Sequence, residues 1–449
     1  MASDAATGVR LGIFRLAGIV AVSFGLNLVS GTLEPALLGN KVIALVPDRA
    51  ADTAVFGAVT FGGLLVAVVA QPLIGAWSDR ANTPLGRRLP FMLAGAVGVA
   101  VGLTLIASAN SMALLVAGLL ITQLGVNSVL AAWQPVIAEG VSQPQRGLAS
   151  GFKAGFDLAA AIVGRLAAAE LVSRVPEWGQ AALYAAIAVP IVGLALTLLV
   201  TIRAMGVDRT PPVPTAPISR AAPGAALGAA FSVDIRSYPA FGWWFVNRVL
   251  FWAGMIGSSV FLLFAARDVF GMSEAEAQRM IGRVIVVLGV ALGAMILPAG
   301  WLADRLGRRP MVIAAGAVAS LGAAVAVADF TLILPAAILI GAGAGIYLSS
   351  SLALINDIVP KADAARYLGV ANIATAGGSA LARLGGGVLI GGLNSATGSS
   401  VAGYQALYAV VAVFFLLSAV VMVLAPRAPT LRRPTSSPSR APASATAGD

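Results

Sequence analysis

Cysteine and histidine are both absent from the 449 residues. That excludes disulfides, thiolate nucleophiles, histidine-ligated haem and histidine-based zinc sites, so no metal or cofactor is expected. It also leaves a carboxylate as the side chain able to carry a proton near neutral pH. Charge is scarce as well, with Asp, Glu, Lys and Arg together making up 11% of the chain. What fills the sequence instead is apolar: 59% hydrophobic residues and a mean hydropathy of +0.91, against roughly 45–50% apolar in soluble domains. Such a chain belongs in a lipid bilayer. The formal charge of +10 comes from arginines spread through short loops rather than gathered on one face, which points to membrane topology and away from nucleic acid.

A spanning helix needs about 20 mainly apolar residues. Segments of that kind start near Ile13, Val55, Pro90, Met112, Leu148, Ala181, Phe241, Gln278, Met311, Leu332, Leu368 and Gly403. The first apolar run, from Leu11 to Val46, has no small-residue cleavage site and reads as an uncleaved span. Between the sixth and seventh segments lie five prolines from Pro211 to Pro223 with Arg209, Arg220 and Arg236, the composition of a linker. The expectation is an all-α integral membrane protein: a six-helix bundle over 1–204, a linker over 205–238, a second six-helix bundle over 239–426, and a Pro/Ser/Ala/Arg tail over 427–449. Sorting the 29 Lys and Arg puts 18 on the side of the termini, six within spans, and five opposite: Lys41, Arg49, Arg174, Arg267 and Arg279. Short-loop Lys/Arg excess marks the cytoplasmic side, so both termini and the linker are expected there, in the plasma membrane.

Charge is nonetheless spent in one place twice. "GAWSDRANTPLGRRLPFM" over Gly75–Met92 returns in shortened form as "GWLADRLGRRPM" over Gly300–Met311. A fainter echo pairs "IAEGVSQPQRG", from Ile137, with "INDIVPKADAARYLG", from Ile355. Matching order and position in the two halves imply two related six-helix units with a site at their interface, the pattern of an alternating-access transporter. In each loop a glycine (Gly75, Gly300) ends a span, Asp79–Arg80 or Asp304–Arg305 follows, and Gly86, Arg87, Arg88 or Gly307, Arg308, Arg309 opens the next. The arginines can hold carbonyls at helix ends, lipid phosphates, or a carboxylate of the other half. One reading is a gate between the halves; the other is a plain positive-inside anchor.

This doubled loop resembles the signature loop of the major facilitator superfamily over about Leu11–Leu424. The first copy, "QPLIGAWSDRANTPLGRRLPF", with its longer spacer, resembles that of the sucrose-type proton symporters and the wider glycoside-pentoside-hexuronide symporters, as does "FGLNLVSGTLEPALLG" at Phe24, Gly25, Leu28, Leu33 and Pro35. The resemblance implies the twelve-helix fold, no enzyme activity, and a small-molecule substrate such as a sugar or glycoside moved with a proton by a monomer. The chain departs from the pattern in having no acidic residue in span four, Met112–Trp133, and no aspartate in span two, Val55–Trp77.

Charges within spans cost about 2.5–3.5 kcal/mol each at a helix centre on insertion scales, so they tend to face a cavity or a partner. Span five carries Lys153, Asp157 and Arg165, with Lys153 and Asp157 one turn apart; an internal salt bridge and a polar cavity wall are both open. Arg383 in "SALARLGG" matches the depth of Arg165 in "AIVGRLAA". Span seven adds Asn247, Arg248 and Trp252, with Trp243 and Trp244 read as an interfacial belt. Asn27, Gln123, Asn127, Trp133 and Gln134 supply neutral groups able to recognise hydroxyls, with packing as the other role. Asp157, near the midplane, is the first candidate for the coupled proton. Glu34, next to the helix-breaking Pro35, is the second. Efflux of an organic solute is the alternative direction; a channel or receptor is the alternative class.

Overall fold

The computed structural model describes residues 10–206, 238–359 and 364–426. The linker and tail expected over 205–238 and 427–449 lie almost wholly outside these residues. Among the described residues the chain is helical, and twelve segments run back and forth. We number them α1 (Ile13–Val20, Val22–Thr32, then Leu33–Leu37 and Leu38–Leu45), α2 (Arg49–Arg80), α3 (Leu89–Ser108), α4 (Met112–Gly140), α5 (Arg146–Ser173), α6 (Gln180–Met205), α7 (Pro239–Val260 with Leu262–Phe270), α8 (Glu274–Leu306), α9 (Arg308–Ala328), α10 (Ile333–Ile358), α11 (Ala364–Thr397) and α12 (Ala402–Leu424). Ten are long and apolar enough to cross a bilayer by length and composition. α7 adds an eleventh when its two pieces, bent by 49°, are taken together. α5 completes the twelve, with Lys153, Asp157 and Arg165 interrupting an otherwise apolar helix.

Local chemistry explains the helix boundaries. α8 begins with a reciprocal capping box in which the Ser273 hydroxyl accepts from Glu276 N–H and the Glu276 carboxylate accepts from Ser273 N–H. The second piece of α7 stops at Gly271, in the left-handed conformation. Gly86 (φ 88°) and Gly307 (φ 93°) sit in the two repeated loops at backbone angles that favour glycine, which is why both loops carry a glycine before the arginine pair.

The two halves repeat one packing scheme. α1 packs on α5 and α6, as α7 packs on α11 and α12; α2 and α3 pack on α4, as α8 and α9 pack on α10. Across the halves, α2 meets α11 and α8 meets α5, which are the same contact under the two-fold relation that carries each helix to the one six further on. That contact runs from the far face to about mid-span, where Gly293 still meets Leu158. Near the face away from the termini, a Cβ on Gly57 would lie 2.2 Å from the Arg383 carbonyl and one on Gly282 would lie 3.4 Å from Ala169. Toward the terminal face, Gly151, Gly155, Gly300 and Gly377 have nothing within 4 Å. The halves therefore touch at the far face and part at the terminal face, leaving a cleft between them.

Candidate functional site

At the apex of the cleft the backbone of α1 breaks. Glu34 has φ −121° and ψ 138°, inside an otherwise helical segment. The proline that follows disfavours helical geometry at Glu34 and supplies no amide hydrogen for the helix ladder. Gly31 and Gly164 bring α1 and α5 together: a Cβ on Gly31 would sit 3.2 Å from the Arg165 nitrogen, and one on Gly164 would sit 2.8 Å from the Leu28 carbonyl. Thr32 donates to the Gly164 carbonyl at 3.4 Å. Glu34 thus emerges beside Arg165 and faces α11 of the other half, where Arg383 donates to its carboxylate at 2.7 Å. The two side chains are 19% and 13% exposed.

The triad of Glu34, Arg165 and Arg383 brings together three residues that the sequence singled out separately. One carboxylate faces two guanidinia, so the cluster carries a surplus positive charge when Glu34 is ionised and a larger one when it is protonated. The Nε atoms of Arg165 and Arg383 are buried without a hydrogen-bond partner. Arg165 also borders a small, partly open cavity of about 30 Å³ with Ser258, Ser259 and Tyr408 of the second half. That volume suits one or two waters.

A second cluster lies lower in the cleft and entirely within the first half. Lys153 and Asp157 pair one helical turn apart on α5, and Asn27 of α1 donates to the other Asp157 oxygen at 2.9 Å while also donating to the Ser23 carbonyl. Lys153 and Asp157 are 32% and 27% exposed, so the pair is reachable by water. The internal bridge weighed for these residues is formed, on a partly open wall.

The remaining sequence candidates fall into packing positions or lie apart. Trp133 is fully buried, with its indole N–H donating to the Ile19 carbonyl at 2.8 Å, so its ring holds α4 against α1. Asn247 is fully buried between the Ser418 carbonyl and the Tyr347 hydroxyl. Arg248 donates to the Ala371 carbonyl and the Thr375 hydroxyl, locking α7 to α11. Asn127 donates to the Gln123 carbonyl within α4, and Gln134 accepts from Gln71 at 3.1 Å. Trp252 has a buried indole N–H without a partner. The expected belt of Trp243 and Trp244 is corrected: Trp244 is fully buried and donates to the Ser351 carbonyl, because the face of α7 that carries it packs inward on α10 and α11, while Trp243 stays exposed.

The repeated loops hold charge within each half. Arg88 reaches Asp79 at 3.1 Å and Glu139 at 2.6 Å, and Arg87 reaches Glu139 at 2.8 Å. Arg308 pairs with Asp357 at 2.7 Å, and Arg309 donates to the Met422, Val423 and Ala425 carbonyls at the end of α12. Asp304 is exposed, and Arg305 lies over the Trp301 ring. The gate reading's ion pair between a loop arginine and a carboxylate of the other half is not formed among the described residues in this conformation, in which the terminal ends of the halves are apart. Sequence reasoning missed Glu139 and Asp357 as partners. The signal was present, since Ile137-Ala138-Glu139 and Ile355-Asn356-Asp357 open the two echoing segments.

Also missed was a latch at the far face. Asp52 of α2 pairs with Arg267 of α7 at 2.7 Å, and Arg267 pairs with its neighbour Asp268, which accepts from the Tyr404 hydroxyl at 2.6 Å. Close by, Asn40 donates to Glu274 at 3.0 Å and Gln278 to the Ala36 carbonyl at 3.3 Å.

Two halves of six spanning helices, joined at one face, open at the other and bridged by ion pairs, define a membrane transporter and not an enzyme. The chain belongs to the Major Facilitator Superfamily, whose family profile matches residues 16–292 and 275–447. A stretch of 89 residues is 36% identical to the human protein "Proton-associated sugar transporter A", covering 18% of this chain and 11% of that protein. Among solved structures, the fold is similar to the nucleoside transporter NupG (TM-score 0.64, 16% identity, 92% of this chain and 98% of that one). It is also similar to a D-xylose-proton symporter (TM-score 0.62, 16% identity, 93% and 97%).

Proposed function

We propose that this transporter takes up a sugar or glycoside together with a proton, with both termini cytoplasmic, and that Glu34 carries the proton. The observation that carries the reading is the Glu34–Arg383 ion pair, which joins the two halves at the head of the cleft. Breaking a buried pair by removing one partner costs about 3–5 kcal/mol, and about 5.5 kcal/mol of differential stability moves a two-state equilibrium from 1:99 to 99:1. Protonating Glu34 removes the carboxylate charge while leaving Arg383 and Arg165 repelling each other. It therefore works against the far-face closure by an amount of the right size to change the resting state.

Asp157 has a different place in the cycle. Its partners Lys153 and Asn27 belong to the same half, so its protonation does not directly alter the contact between halves. With Gln123 it supplies a polar wall suited to sugar hydroxyls. The partial likeness to a protein named as a proton-associated sugar transporter supports this substrate class, and the Lys/Arg bias supports the orientation. On that orientation the structure faces the cytoplasm. The test is uptake into proteoliposomes under an imposed proton gradient, across sugars, glycosides and amphiphilic organic solutes. The reading requires saturable accumulation of a sugar or glycoside that a protonophore collapses; gradient-driven extrusion of an amphiphile without sugar uptake would refute it.

A further inference from the structure

Where α5 meets α8 at the far face, a groove of about 530 Å³ opens along the outside of the inter-half contact. Arg279 and Arg283 of α8 line it, one turn apart, with Leu166, Val286 and Val287 beneath them. Both arginines are exposed, and neither forms an ion pair among the described residues. Glu170 also lines the groove and Glu276 lies next to Arg279, but the hydrogen bonds of both acids are already committed elsewhere. Glu170 accepts two donors of Arg174, at 3.1 and 2.8 Å, and Glu276 closes the capping box with Ser273. At about 1.5 Å per residue from Glu274, Arg279 lies roughly 8 Å and Arg283 roughly 13 Å along α8. Those depths correspond to the headgroup layer and the first part of the hydrocarbon layer of a bilayer whose core is about 30 Å thick.

The geometry points to a binding site for an anionic phospholipid, with the phosphodiester between the two guanidinia and an acyl chain along Leu166, Val286 and Val287. Two cations that form no ion pair, beside an apolar trough, match a molecule that is anionic at one end and apolar beyond it. Guanidinium is well shaped for phosphate, taking it with two parallel hydrogen bonds. Because the groove is walled by one helix from each half, which touch at Gly282 and Ala169, a lipid seated there stabilises the conformation in which the far face is closed. The site involves none of the residues assigned to sugar or proton binding, so it stands independently of that assignment.

The test uses the full-length protein in phosphatidylcholine nanodiscs doped with phosphatidylglycerol, reading the melting temperature and, by native mass spectrometry, the lipid retained. Phosphatidylglycerol is expected to raise the melting temperature and to be retained in preference to phosphatidylcholine. Each arginine removed should weaken its retention about fivefold, the effect of one basic residue near an anionic membrane surface, so R279Q/R283Q loses most of the preference. R432Q/R433Q, which removes the same charge from the tail, should keep it. Equal retention of the two lipids, or a preference that survives R279Q/R283Q, would overturn the site. So would an equal stabilisation by soluble glycerol 1-phosphate, which would make the site one for free phosphate esters.

Discussion

Asp52 and Arg267 sit 2.7 Å apart across the two halves, 1% and 9% exposed, so the far face is latched by an ion pair almost out of reach of water. Arg267 is also held by Asp268, which means that Asp52→Asn does not strand a bare cation. The effect should fall on the contact between halves alone: spin labels on α2 and α7 at the far face should show a broader, longer distance distribution, with little change in melting temperature. Arg267→Gln leaves two carboxylates facing each other and should cost more, about 3–5 kcal/mol. Unchanged distances in Asp52→Asn would show that the latch does not hold this state.

The latch also marks the limit of what the sequence could reveal. The bilayer, the twelve spans and the two-fold repeat were legible because apolar run length and a doubled loop are local signals. Glu34 and Arg383 are 349 residues apart, and no local pattern joins them; only the two-fold packing of α1 on α5 and of α2 on α11 does. Asp52 lies just before the second span, where nothing local marks it, and Arg267 read as one of five cations on the far side. Trp244 read as interfacial because its neighbours are aromatic, whereas the packing of α7 on α10 and α11, a tertiary feature, buries it. Glu139 and Asp357 were within reach, since they hold the same place in the two echoes.

The loop arginines of the first half depend on Glu139. Arg87 and Arg88 are 4% and 2% exposed, and Arg88 shares its carboxylates between Asp79 and Glu139. Glu139 itself is 43% exposed, so Glu139→Gln, which leaves the buried Arg87 without its carboxylate, should destabilise the protein by about 1–3 kcal/mol, seen as a lower melting temperature. Asp304→Asn, at an exposed residue, should express and melt normally. Equal stability of the two variants would contradict the dependence of the buried arginines on Glu139.

Gly57 is the point of closest approach between α2 and α11. A Cβ there would be 2.2 Å from the Arg383 carbonyl, so Gly57→Ala must push the halves apart, at a cost of about 1–3 kcal/mol for overpacking. The variant should populate less of the closed far face, read as faster labelling of a cysteine introduced at Thr53. A labelling rate equal to that of the same cysteine with Gly57 intact would mean that the contact yields without cost.

Orientation can be read directly, because the chain has no native cysteine. A cysteine at Ser219, in the stretch between the halves, should react with an impermeant maleimide only after the cells are opened. One at Ser400, exposed between α11 and α12, should react in intact cells. The reverse pattern would invert the membrane topology and turn the terminal-face cleft outward.

The last prediction separates the two carboxylates. Glu34 pairs with the other half through Arg383, whereas Asp157 pairs with Lys153 and Asn27 in its own half. Glu34→Gln mimics the protonated form permanently, so it should abolish proton-driven accumulation while leaving substrate exchange, and it should remove the pH dependence of that exchange. Asp157→Asn keeps the hydrogen bond to Lys153 possible through its remaining oxygen but loses the charge, so it should weaken substrate affinity and raise the KM for uptake, leaving the pH dependence in place. Arg383→Gln should resemble Glu34→Gln in losing coupling, since the bridge needs both ends. Uptake against a gradient with normal pH dependence in Glu34→Gln, together with its loss in Asp157→Asn, would move the coupled proton to Asp157 and reduce the inter-half bridge to a structural contact.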